Sequence, residues 1–216
     1  MRRIDKNTIL DCEKSFEEVR LSRVGTNNNN KESNAKSFEK LFGDLSNCIF
    51  VGELSLSDLN LNSLKGMPRE VTGAVHINLN PWLKNLEYLS CEIADILSVE
   101  HCLALESLKG IENLHIKSRP EVDFFYNHIF LKNNPKLVDI SYLSEDTVSN
   151  LNLLSLSNSP ATLPEIVKTI AKKQAPLENL DFLASDFPEK ELEKIYSIYE
   201  KLDFDSEKFD RAIELL

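Results

Sequence analysis

Through the middle of the chain, apolar residues fall on alternate positions in short bursts, and the bursts return. Val75–Leu83 reads VHINLNPWL and Ile129–Leu137 reads IFLKNNPKL, both apolar-x-apolar-x-x-Asn-Pro-x-Leu. Looser copies begin at Leu54 (LSLSDLNL), Leu97 (LSVEHCLAL), Leu154 (LSLSNSPATL) and Leu180 (LDFLASDF). From 54 through 75, 97, 129, 154 and 180 the steps are 21, 22, 32, 25 and 26 residues. A second marker, SLKG, stands at Ser63–Gly66 and Ser107–Gly110, with Leu86 midway between Leu64 and Leu108, so the underlying repeat is about 22 residues. Two inward residues around one outward residue make a short strand. A unit this small cannot bury its own apolar side, so a core forms only when units stack. The pattern predicts a right-handed solenoid over residues 48–185 with a short parallel sheet on its inner face. Leu54, Val75, Leu97, Ile129 and Leu154 are expected on adjacent parallel strands. The Asn or Cys after each strand sits where the chain turns, and a short polar side chain there can bond backbone groups left unpaired.

The flanks change period. Within residues 1–47, Cys12, Phe16 and Val19 mark one helical face and Phe38, Leu41, Phe42 and Leu45 another. Between them GTNNNNKES is a low-complexity polar loop with too little apolar surface to order itself. In residues 186–216, Leu192, Ile195, Tyr196 and Tyr199 recur at helical spacing, followed by Phe209, Ile213 and Leu216. Asp186, Pro188 and Glu189 are in the order of a helix start. Both flanks read as helical caps over the open ends of the stack, where apolar core and strand edge would otherwise meet water. Before the second cap, Thr162 and Glu165 have capping-box spacing, Ile166, Val167 and Ile170 form an apolar face, and Lys172 and Lys173 suit the negative end of the helix dipole. The outer side of the last coils is therefore expected to be helical, and that of the earlier coils turns or 3₁₀ segments. The 32-residue step holds a further strand signal at Leu114–Ile116, read as part of an insertion of about ten residues relative to a regular repeat.

On these motifs the chain resembles a leucine-rich-repeat protein, and SLKGMPREVTGAVHINLN is similar to the S-L-x-G-x-P-x-x-V-x-G repeats of phage and bacterial members. The resemblance covers about 135 of 216 residues. It implies an α/β solenoid with parallel strands on the concave face, a partner-binding role, and a phage- or bacterium-encoded antagonist of a host protein. Some bacterial members carry a separate ubiquitin-ligase domain, but no cysteine follows residue 186, so no thioester can form there.

Charge narrows the partner. Lys and Arg total 25 against 35 Asp and Glu, a net charge of −10, which repels phosphate backbones and anionic membrane surfaces. No apolar run reaches the roughly 20 residues that a bilayer span needs, and MRRIDKNTIL has no apolar segment after its arginines. A protein partner in the cytoplasm, that of a host included, is the expectation. Cysteines at 12, 48, 91 and 102 form no C-x-x-C pair, the four histidines are scattered, and no phosphate-loop, nucleophile-elbow or zincin motif occurs. No cofactor is expected. The alternative is a thiol-dependent enzyme using Cys91, with His101 or His115 as base, or Cys12.

In the strand register above, the outward residues are Ser55, His76, Asn78, Ser98, Glu100, Phe130, Lys132, Ser155, Ser157 and Asp181. Most are small and polar. Phe130 is the exception, since an aromatic between two inward residues has no core to enter, and aromatics are common anchors of interfaces. Trp82, in the variable slot of NPWL, is a further candidate at the edge of this face.

Overall fold

The computed structural model describes residues 1–5, 31–117, 127–149, 151–172, 183–184 and 189–214. The apolar-x-apolar bursts are strands, and they stack in parallel as β4 (Leu54–Ser55), β7 (Val75–His76), β9 (Ile96–Ser98), β11 (His128–Phe130), β12 (Leu153–Ser155) and β13 (Leu183–Ala184). Leu54 pairs with Val75, Val75 with Leu97, Leu97 with Ile129 and Ile129 with Leu154, as the spacing predicts. These first apolar residues define position one of each coil, and all five are buried. The sixth strand departs from expectation. Leu154 pairs with Leu183 rather than Leu180, so that Ala184 lies beside Ser155, and Asp181 lies outside the described residues.

A second parallel sheet runs beside the first: β1 (Arg2–Ile4), β3 (Cys48–Phe50), β6 (Glu70–Val71), β8 (Glu92–Ala94) and β10 (His115–Lys117). This corrects the expectation of turns or 3₁₀ segments on the early coils. Its inward row, Ile4, Phe50, Val71, Ile93 and Ile116, is fully paired and buried. The stretch read as part of an insertion is therefore a regular member of this sheet: Ile116 lies beside Ile93, and the extra length of that coil falls between Lys117 and Asn127. The N-terminal flank likewise contains strands, β1 and β2 (Lys36–Ser37), the latter paired with β5 (Leu61–Ser63).

The third side of each coil is a turn. Leu64, Leu86, Leu108 and Ile140 enter the core, followed three residues later by Met67, Leu89, Ile111 and Leu143, whose amides donate to the carbonyls of the first set. Each turn is opened by a side chain accepting from the amide two residues on: Ser63, Asn85, Ser107 and Asp139. This is the SLKG signal in physical form, since a short oxygen-bearing side chain there fixes the turn locally. The first three coils thus each contribute three apolar rows to one continuous core, in a solenoid of about five turns.

Helices gather at the ends. The segment α1 (Phe38–Phe42) is capped by Ser37, whose hydroxyl accepts from the Lys40 amide, and buries Phe38 and Phe42. Toward the other end, α2 (Glu145–Ser149) and α3 (Leu163–Lys172) occupy the side where earlier coils have second-sheet strands, and α4 (Glu189–Lys201) and α5 (Ser206–Ile213) pack against α3. The expected apolar faces form: Ile166, Val167 and Ile170 on α3, Leu192, Tyr196 and Tyr199 on α4, Phe209 on α5. The readings on Cys12, Phe16, Val19, the asparagine run, Lys173, Asp186, Pro188 and Leu216 lie outside the described residues.

Candidate functional site

The larger sheet presents rows of outward side chains, because each position repeats directly above itself from coil to coil. Position two carries Ser55, His76, Ser98, Phe130 and Ser155, each the ladder neighbour of the next. Position four carries Ser57, Asn78, Glu100, Lys132 and Ser157. The backbone ladder continues past the strands: the Leu56, Ile77, Val99 and Leu131 amides donate to the following coil's position-two carbonyl at 2.7–2.8 Å, and the Asp58, Leu79, His101 and Asn133 amides to its position-four carbonyl at 2.9–3.1 Å. The face is held as an extension of the sheet over five residues per coil, although the strands proper are two or three long.

Nine of the ten expected outward residues, Ser55, His76, Asn78, Ser98, Glu100, Phe130, Lys132, Ser155 and Ser157, are brought together on this face. Two of the nine are correctly placed but covered. Ser98 and Ser155, the ladder neighbours of Phe130 on either side, expose only 3% and 1% of their surface. Ser98 Oγ is 3.0 Å from Asn78 Oδ1 and 2.8 Å from Glu100 Oε1, and Asn78 Oδ1 also accepts from the Glu100 amide at 2.9 Å. Half-buried Phe130 meets His128 edge to face at 5.7 Å, and Lys132 Nζ lies 4.9 Å from its ring centroid. Burial pushes the His128 imidazole below its usual pKa, which favours the neutral ring against the phenyl. His76 Nε2 lies 3.4 Å from Glu53 Oε1. Trp82 follows the turn at Pro81, off this face, and is half-buried.

Beneath the face, position six holds the turn. Asn80 Nδ2 donates to the Leu56 carbonyl at 2.9 Å, Cys102 Sγ to Ile77 at 3.1 Å, Asn134 Nδ2 to Val99 at 2.8 Å and Ser159 Oγ to Leu131 at 2.7 Å. Each is a bond from one coil back to position three of the coil before it. Asn134 Oδ1 also accepts from the Cys102 amide at 3.0 Å. Burial pushes the Cys102 thiol up to about 12, so it stays a protonated donor at neutral pH.

The thiol reading finds less support in geometry. Cys91 Sγ donates to the Arg69 carbonyl at 3.3 Å, and the contact joining Cys91 to His115 is a backbone bond, His115 N to Cys91 O, at 2.8 Å. His101 lies on the other sheet's side of the coil, with Nε2 3.4 Å from Asn133 Nδ2. A shallow depression of about 400 Å³ beside Tyr88 and Cys91 has its Lys109 held by Glu87 and its Glu112 by the Gly110 amide, each at 2.7 Å. Cys12 lies outside the described residues. Among the described residues no cluster of His, Cys, Asp and Glu is placed to hold a metal ion, and no helix is long and apolar enough to cross a membrane.

One set of residues escaped sequence reading. Position five, Asp58, Leu79, His101, Asn133 and Asn158, adopts φ of 56–59° in the five coils where it is described, a left-handed row along the margin of the face. The Asn and Asp members are its sequence signal, since these side chains tolerate that conformation. Leu79 is the member that gives no such signal. No protein-family model, curated protein or solved structure matches this chain.

Proposed function

We propose that this chain is a non-catalytic protein-interaction module of the leucine-rich-repeat kind, a right-handed solenoid closed by helical caps, that binds a protein partner on the face of its larger sheet. The observation that carries the reading is Phe130, an aromatic on an outward row, flanked by serines and backed by a rigid ladder. A large side chain on a fixed platform loses little conformational freedom on binding, which is the property of an interface anchor. The net charge of −10 disfavours nucleic acid and anionic membrane as partners. The repeat resemblance supports a phage- or bacterium-encoded antagonist that acts on a host protein in the cytoplasm.

The rival surface within this reading is the acidic C-terminal pair of helices. Burying a large aromatic at an interface centre contributes about 2 kcal/mol or more, whereas exposed ion pairs contribute roughly 0–1 kcal/mol each. With a partner captured from a host lysate and purified, calorimetry on Phe130→Ala/Lys132→Ala should show affinity at least tenfold weaker, about 1.4 kcal/mol. Charge reversal at the exposed Glu191 and Glu193 should do less at physiological salt. A larger loss from the helix variant, with both proteins folded by circular dichroism, would move recognition to the tail.

A further inference from the structure

Position five is where the backbone asks for Asn, Asp, His or Gly, and four of five coils comply with Asp58, His101, Asn133 or Asn158. Coil two places Leu79 there, at φ 59°. Leucine in this conformation is strained by its Cβ. Burial does not compensate, because 51% of Leu79 is exposed. Its ladder bond, N–H to the Glu100 carbonyl at 2.9 Å, is one that any residue but proline would make. Neither core nor backbone accounts for leucine at this site, and its side chain stands on the margin of the face that carries Phe130.

Lys132 is the second observation. It is the cross-coil neighbour of Glu100, yet the two form no ion pair: Glu100 is bonded to Ser98, and the Lys132 ammonium lies over the Phe130 ring. Among the described residues Lys132 takes part in no salt bridge. A cation fixed on a phenyl face and unclaimed by its neighbour is complementary to an incoming carboxylate.

From these observations we infer that Leu79 and Phe130 are paired anchors, and that the partner segment carries two apolar side chains with an acidic residue between them that meets Lys132. This rests on the strand-face reading above. Leu79 and Phe130 are two coils apart at about 4.8 Å per coil and three residues apart at about 3.3 Å per residue, which places them about 14 Å from each other. An extended segment spans that distance in about four residues, so its apolar side chains are four apart. The occupant is otherwise neutral or basic, because a broadly acidic one would be repelled by the net charge of −10.

The probe is a phage-displayed library of random 12-residue peptides panned on the full chain. The most enriched sequence is then synthesised and titrated by fluorescence anisotropy. Enrichment should select apolar residues four apart around Asp or Glu. Leu79→Asn, which suits the left-handed backbone, should keep or raise the melting temperature while weakening peptide binding at least tenfold. Lys132→Met should weaken the acidic peptide at least fivefold and leave its Asp→Asn or Glu→Gln analogue unchanged. If Phe130→Ala weakens binding and Leu79→Asn does not, the paired-anchor inference fails and the strand-face reading stands. If neither matters, both fail. A lower melting temperature for Leu79→Asn, enrichment of basic sequences, or no enrichment at all also overturns the inference.

Discussion

Asn134 shows what a single side chain does in a stacked protein. Fully buried, it donates to the Val99 carbonyl and accepts from the Cys102 amide, so it satisfies two groups of the preceding coil that water cannot reach. Asn134→Ala strands both. Each buried orphan costs about 1–3 kcal/mol, so a loss of about 3 kcal/mol is expected, seen as a lower urea midpoint at unchanged slope. Asn134→Asp keeps the acceptor and removes the donor, and it adds a buried charge, so it should be no better than alanine. An equal midpoint for the alanine variant would mean that this ladder contributes nothing net. The role was legible in the sequence because Asn and Cys share one trait, a short polar tip, at one place in the repeat, and Ser159 joins them in the structure. The burial of Ser98 and Ser155 was not legible, because it depends on the adjoining coils, which a single row of letters does not display.

The third-side turn is an element through which successive coils touch directly. Lys65 of coil one reaches Glu39 and Lys109 of coil three reaches Glu87, while the adjoining backbones bond as Glu39 N–H to the Lys65 carbonyl and Leu86 N–H to the Lys109 carbonyl, both 2.8 Å. Gly110 permits this approach: at φ 109°, a Cβ there would lie 2.1 Å from the Leu86 carbonyl oxygen. Gly43, at φ 82°, has nothing within 4 Å of the same construction. Gly110→Ala should therefore destabilise by about 3 kcal/mol or more, combining strain with a forced separation of coils two and three, and Gly43→Ala by about 1–2 kcal/mol from conformation alone. Thermal melts of the two variants decide it, and equal losses would show that the clash relaxes freely. At this scale the first sheet was legible because its apolar pairs recur with Asn-Pro or an equivalent turn after them. The second sheet was missed because only one of its inward positions is apolar in coil after coil, too little alternation to register. Its row of Phe50, Val71, Ile93 and Ile116 emerges only once the 22-residue register is imposed.

Across the whole molecule, two parallel ladders run along the stack, one from β1 to β10 and the other from β4 to β13, and α3, α4 and α5 pack together at the β13 end. Lys168 helps to close that end: burial opposes its charge, but Asp210 and Glu165 more than offset this and raise its pKa, tying α5 to α3. The ladder bonds lie along the axis of the stack, and the first and last described elements, β1 and α5, lie toward its opposite ends. That geometry has a mechanical consequence. A molecule held by its termini in an optical trap is loaded along those bonds, one row at a time, so it should come apart coil by coil rather than shear as a block. Each regular coil of about 22 residues would release about 70 Å of chain, and the 32-residue coil about 105 Å, taking about 3.5 Å per residue less one coil spacing. The expected record is a short staircase of low-force steps with one step about half as long again as that of a regular 22-residue coil, in which the odd step marks the coil immediately before the one that carries Phe130.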